Sequence, residues 1–152
     1  RLSTAAGTWP GPGRRPGMTP GAFLKLYLLT IPVFLVLDAI WLGVVAKGFY
    51  RQHIGHLMAD DVRWGAAALF YLLFIAGLLF FATLPALDRP TPWRAVLFGG
   101  LFGLITYATY DLTNLATMRG FPVLVAAADM AWGFALGAMT SGAAWRLAAL
   151  VR

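Results

Sequence analysis

Cysteine and glutamate are both absent from these 152 residues, and charged side chains of every kind make up only 12% of the chain. Without cysteine there is no disulfide framework, no thiolate metal site and no cysteine nucleophile. Gly-rich phosphate loops, nucleophile elbows and zinc-protease motifs are missing as well, so none of the common sequence signatures of catalysis is present. Scarce charge beside 60% hydrophobic residues and a mean hydropathy of +0.73 excludes an ordinary soluble domain, which averages about 25% charged and about 45–50% apolar. The chain reads as a membrane protein.

The net charge of +6 comes from basic residues, nearly all arginine, set against acids that are all aspartate. The basic residues are scattered and form no dense patch, which argues for loop anchoring at anionic headgroups and against nucleic-acid binding. Residues 1–17 (RLSTAAGTWPGPGRRPG) are rich in Pro, Gly and Arg, lack periodicity and are expected to be a disordered extension. Met18 reads as a natural start. Residues 18–152 are expected to form one all-α, polytopic domain, a bundle of four transmembrane helices.

Four apolar runs each approach the length of about 20 residues that a helix needs to cross hydrocarbon. They cover about Leu24 to Ala46, Trp64 to Leu84, Arg94 to Met118 and Val123 to Trp145. The first is too long for a signal peptide, contains Asp38 and lacks a small-residue cleavage site. Pro85, Pro90 and Pro92 punctuate the second connection, while Gly120 and Pro122 close the third into a tight turn, so the last two spans should form an antiparallel hairpin. In the first connection, Phe49, Tyr50, Ile54, Leu57 and Met58 recur at helical spacing, which predicts a short interfacial helix lying on the headgroups. Asp60 or Asp61 would cap the second span. Arg1, Arg14, Arg15, Lys25, Arg89, Arg94, Arg146 and Arg152 fall on one side, against Lys47, Arg51, Arg63 and Arg119 on the other. The positive-inside rule then puts both termini in the cytoplasm.

Asp38, Asp111 and Asp129 lie inside the spans with no Lys, Arg or His at their depth. A carboxylate at that depth costs roughly 2.5–3.5 kcal/mol on insertion scales, so the three together cost on the order of 8–10 kcal/mol unless something compensates. Packing alone would use leucine. Counted from the nearest span ends at 1.5 Å per residue, all three lie roughly 9–12 Å below one surface, because spans one and three leave on the face where span four enters. They are expected to form one layer.

Facing follows from spacing. Gly99, Gly103, Tyr107 and Asp111 succeed one another at four-residue steps, extended by Asn114, and Asp129, Gly133, Gly137 and Ser141 mirror them on span four. The glycine stripes predict close backbone approach, with the aspartates converging beyond them. Spans one and four also share Asp-x-x-Trp, in Asp38 with Trp41 and Asp129 with Trp132, the relation expected of an inverted repeat.

The segments LDAIWLG (37–43), YDLTNLATMRGFP (110–122) and ADMAWGFALG (128–137) resemble those of a bacterial family of small four-helix inner-membrane proteins, catalogued as a predicted membrane protein domain of unknown function. The resemblance covers about residues 22–147 and implies fold and location. The family favours Lys and Trp where Arg119 and Phe121 stand here, a difference that keeps charge and apolar character.

Three readings of the aspartate layer follow. In the first, Asp38, Asp111, Asn114 and Asp129, shaped by Tyr107, Tyr110, Thr113, Trp41 and Trp132, form a cation- or proton-linked site for a small solute or ion. Four helices are few for a transporter, so this reading calls for a homo-oligomer. In the second, the aspartates are hydrogen-bond glue in an accessory subunit of a membrane complex, with Arg119, Lys47 or Arg51 snorkelling in to neutralise one of them. In the third, His53 and His56 with Asp60 and Asp61 hold zinc or another divalent metal in a membrane enzyme. Nothing in the sequence specifies a cofactor.

Overall fold

The computed structural model describes residues 18–88 and 90–151. The expected disorder of residues 1–17 lies outside them. The described residues form helices and their connections: α1 (Pro20–Ile40), α2 (Lys47–Ile54), α3 (Trp64–Leu78), α4 (Trp93–Thr117) and α5 (Val123–Leu147). Two helices run on through wider turns, α1 through Trp41–Val45 and α3 through Leu79–Thr83 to Ala86. With these extensions, four helices are long and apolar enough to cross a membrane: Pro20–Val45, Trp64–Ala86, Trp93–Thr117 and Val123–Leu150.

The helix ends follow local chemistry. Thr19 caps α1, its hydroxyl accepting from the Ala22 N–H at 3.2 Å, and Pro20 occupies the first turn, where a missing N–H costs nothing. Gly120 adopts φ +77 in the α4–α5 turn, a conformation open to glycine at little cost. Asp60 and Asp61 do not cap α3. Its cap position is Arg63, with no side-chain bond to the helix, and both aspartates are exposed.

The α4–α5 hairpin is the spine of the bundle. Gly99 lies opposite Gly137, and Gly103 opposite Gly133, so the residue numbers fall on one helix as they rise on the other. A Cβ added at Gly103 would lie 1.9 Å from the Gly133 carbonyl oxygen, and one at Gly137 would lie 2.1 Å from that of Gly99. In lipid, where burying apolar groups against one another gains little over burying them in acyl chains, such close contact is the main attraction between helices. Ser141 ends the stripe and pairs through its hydroxyl with Thr83 at 2.8 Å, linking α5 to the extension of α3. α1 and α3 pack beside the hairpin through Leu26, Phe34, Phe74, Ile75, Leu78 and Leu136. Leu28, Val36, Ile40, Leu73 and Phe81 point outward, as lipid-facing positions do.

The short helix α2 covers one end of the hairpin. Its Phe49, Tyr50 and Ile54 pack on Phe121, Val125 and Ala126, so this apolar face rests on protein, whereas Leu57 and Met58 are exposed. That arrangement brings Tyr50 to the carboxylate layer.

Candidate functional site

Asp38 stands near the end of α1, buried, with both oxygens engaged. One accepts from the Tyr71 hydroxyl of α3 at 2.7 Å and the other from the Trp132 indole N–H of α5 at 3.3 Å. Asp129, half-buried on α5, accepts from the Tyr50 hydroxyl of α2. Tyr50 in turn accepts from the Trp41 indole at 3.0 Å. The indoles of Trp41 and Trp132 stack face to face, with ring centres 4.5 Å apart and planes 4° from parallel.

The two Asp-x-x-Trp segments therefore serve each other. Trp132, one turn beyond Asp129, donates to Asp38. Trp41, one turn beyond Asp38, reaches Asp129 through Tyr50. α1 and α5 thus exchange their tryptophans across a stacked pair, with a tyrosine hydroxyl supplied to each carboxyl group from a third helix. The turn that follows from Trp41 is a wide one, closed by a 2.7 Å bond from the Ala46 N–H to the Trp41 carbonyl, which inserts one residue between the tryptophan and α2. Such insertions are common where a side chain has to be re-aimed.

Hydrogen bonds to charged groups contribute about 1.5–3 kcal/mol each, enough to offset much of the insertion cost of Asp38 and Asp129. Lys47, Arg51 and Arg119 are exposed, and none of them is a partner of these carboxyl groups, so the expected snorkelling cation gives way to neutral donors. Burial holds the Tyr50 hydroxyl well above the ordinary tyrosine range. Its bond to Asp129 and the charges of Asp129 and Asp111 push the same way, while the Trp41 N–H opposes them. Tyr50 is a neutral donor at every physiological pH.

Asp111 differs. It is fully buried on α4, and neither of its oxygens has a hydrogen-bond partner; the Asn114 amide nitrogen, almost one turn on, is buried and unpaired too. On α4 the series Tyr107, Asp111, Leu115 runs at four-residue steps. Tyr107 lies over Gly133, where an added Cβ would meet its ring at 2.5 Å, and Leu115 packs on the Phe121, Val125 and Ala126 cluster. Along this face Asp111 sits between the Tyr107 ring and the Leu115 side chain. Among the described residues no three His, Cys, Asp or Glu side chains lie close enough to hold a metal ion, so the three aspartates do not form a metal-binding cluster. Nor do three of His53, His56, Asp60 and Asp61 come together in such a group. His53 instead bonds its own helix through the Phe49 carbonyl at 2.8 Å.

Two clefts reach the layer. The first, about 310 Å³, has Asp38, Trp41, Tyr50, Tyr71, Asp129 and Trp132 in its wall, and the exposed side chains of Leu42, Met58 and Phe70 around its open side. The second, about 560 Å³, runs beside Thr106, Thr109, Tyr110 and Thr113 of α4. Phe70, Tyr107 and Asp129 line both. Tyr110 and Thr113 are thus exposed walls of the second cleft, and Asp111 and Asn114 line neither. The spacing argument overlooked Tyr50 and Tyr71. Their signal was a hydroxyl on otherwise apolar helix faces, since a tyrosine at such a position generally finds a polar partner.

Four apolar helices wrapped around a polar aromatic–carboxyl centre define an integral membrane protein. More particularly, residues 23–146 match the family described as "Predicted membrane protein (DUF2177)", a domain of unknown function, and the chain belongs to that family. No curated protein and no solved structure matches it.

Proposed function

We propose that the layer formed by Asp38, Asp111, Asn114 and Asp129 is a cation- or proton-linked site for a small solute or ion, in an assembly of two or more copies. The reading rests on Asp111. A buried carboxyl group with both oxygens unpaired is rare in folded proteins and calls for a specific cause, here the uptake and release of a proton or a cation at that position. Asn114, whose amide nitrogen is buried and unpaired almost one turn away, would take part in the same exchange. Asp129 lines both clefts and is the member of the layer that a solute entering from either one would meet. In this reading the bundle lies in a bacterial inner membrane with both termini in the cytoplasm, and the layer opens to the opposite side.

The test is flux in liposomes under a pH or sodium gradient, comparing the wild type with the Asp111→Asn, Asp129→Asn double variant. Gradient-driven change in the wild type that the double variant lacks is the expected result. Identical traces from both proteins and from empty liposomes would end the reading.

A second reading draws on different bonds. Asp38 joins α1 to α3 and α5, and Asp129 joins α5 to α2, as interhelical glue in an accessory subunit would. Asparagine at all three positions then keeps both the fold and most of the activity, whereas a cation site keeps the fold and loses its ion dependence. The metal-dependent enzyme has no such support, since no three of its candidate ligands come together into a metal-holding group.

A further inference from the structure

We propose that the first cleft binds a small organic ammonium ion, a protonated amine or quaternary ammonium with an apolar body; this rests on the reading that the aspartate layer is a binding site. Charge complementarity comes first. Asp38 and Asp129 both line the cleft, and no Lys, Arg or His does. Each carboxyl oxygen can accept more than one hydrogen bond, so the bonds from Tyr71, Trp132 and Tyr50 leave lone pairs for a bound cation.

The rest of the wall decides what kind of cation. An inorganic ion such as calcium takes about 6–8 oxygen ligands, and sites for other metals need convergent His, Cys or carboxylate groups. The cleft offers neither, because no three acidic or histidine side chains converge among the described residues. It offers aromatic rings instead: the stacked Trp41 and Trp132 together with Tyr50, Tyr71, Tyr107 and Phe70. Ring faces attract ammonium groups, most strongly away from water, and aromatic cages recognise quaternary ammonium in this way. At about 310 Å³ the cleft falls at the small end of ligand sites, which run from about 300 to 1,000 Å³. The exposed apolar rim of Leu42, Met58 and Phe70 suits a hydrocarbon body attached to the charged head.

The ammonium group can belong to a free solute or to a lipid headgroup, and one titration separates the two. Protein in a non-ionic detergent is titrated with benzyltrimethylammonium while tryptophan fluorescence is followed, with neopentylbenzene as the uncharged isostere and sodium chloride at equal ionic strength as controls. The expected result is a saturable change for the ammonium probe alone, weakened at least about tenfold in the Asp38→Asn, Asp129→Asn double variant. Since that variant removes interhelical bonds, Ala67→Phe serves as a second one. It fills the cleft from a half-buried position outside the hydrogen-bond network and should abolish saturation. Repeating the titration in phosphatidylglycerol nanodiscs with and without phosphatidylethanolamine identifies the source. Competition by the amine lipid supports a headgroup, and its absence supports a free solute.

Equal responses to the probe and its neutral isostere, or a saturable response unchanged in both variants, would overturn the proposal. Ion-dependent flux in liposomes without ammonium binding would remove this inference and leave the broader reading standing. Absence of both would remove the two together.

Discussion

Asp38 and Asp129 survive in a lipid-embedded bundle because neutral donors reach them, and single substitutions should show how unequal those donors are. Tyr71→Phe leaves a buried oxygen of Asp38 without its 2.7 Å partner and should destabilise the bundle by about 1.5–3 kcal/mol in a denaturant titration. Asp111→Asn should cost less than about 1 kcal/mol in the same titration, since nothing bonds to either of its oxygens, yet it should remove ion dependence in the flux test. A pH effect follows from Tyr50. Its folded form holds the phenol proton more tightly than the unfolded chain, whose tyrosines ionise near 10.0. Its contribution is fully present below that pH and is lost as pH rises further, so stability should fall on alkalinisation. Tyr50→Phe should be less stable at neutral pH and should show a shallower alkaline decline; an unchanged slope would mean that Tyr50 does not hold its proton as the structure indicates. Among these residues, Asp38, Asp111 and Asp129 were legible from sequence as isolated charges in apolar runs. Tyr50 and Tyr71 were not, because their partners are 79 and 33 residues away in the chain.

The helices themselves were largely readable. Apolar runs of membrane-spanning length, bounded by Pro, Gly and charge, predicted the four spans within a few residues of those observed at Pro20–Val45, Trp64–Ala86, Trp93–Thr117 and Val123–Leu150. Hidden from sequence were the wide turns at Trp41–Val45 and Leu79–Thr83, since an inserted residue in a uniformly apolar run leaves no compositional mark. The facing of α2 was hidden too. Its apolar spacing fits lipid and protein equally well, and only the neighbouring Phe121, Val125 and Ala126 decide between them. The glycine hairpin gives a sharp test. Gly103→Ala would set its Cβ 1.9 Å from the Gly133 carbonyl and should destabilise by about 1–3 kcal/mol through forced separation of α4 and α5. Gly65→Ala, with nothing within 4 Å of the added carbon, should be neutral or stabilising by up to about 1 kcal/mol. Equal effects at both positions would show that the close approach is not what holds the hairpin.

For the whole molecule, the carboxylate layer lies toward one end of the bundle, the end closed by α2 and the α4–α5 turn. An even number of spans puts the described termini on the same side, and the positive-inside rule applied to the arginine distribution predicts that this side faces the cytoplasm. The absence of cysteine makes this directly measurable, because any introduced thiol is the sole one. Val151→Cys should be shielded from an impermeant maleimide added outside intact cells, and His56→Cys should be labelled. The opposite pattern would invert the orientation and turn the layer toward the cytoplasm. The two clefts share Phe70, Tyr107 and Asp129 in their walls, which brings both of them to the carboxylate layer.

By itself the sequence determined that this is a four-span membrane protein, that its last two helices form a hairpin seamed by glycine, and that three acidic groups lie at a common depth. These follow from hydropathy, residue size and helical rise, all of which act along the chain. Tertiary structure alone decided that two of the acids are held by tyrosine and tryptophan donors and that one is left buried without a partner. Those donors arrive from helices distant in the chain, and Tyr50 depends besides on the wide turn before α2 and on the packing of α2, neither of which is encoded in local periodicity.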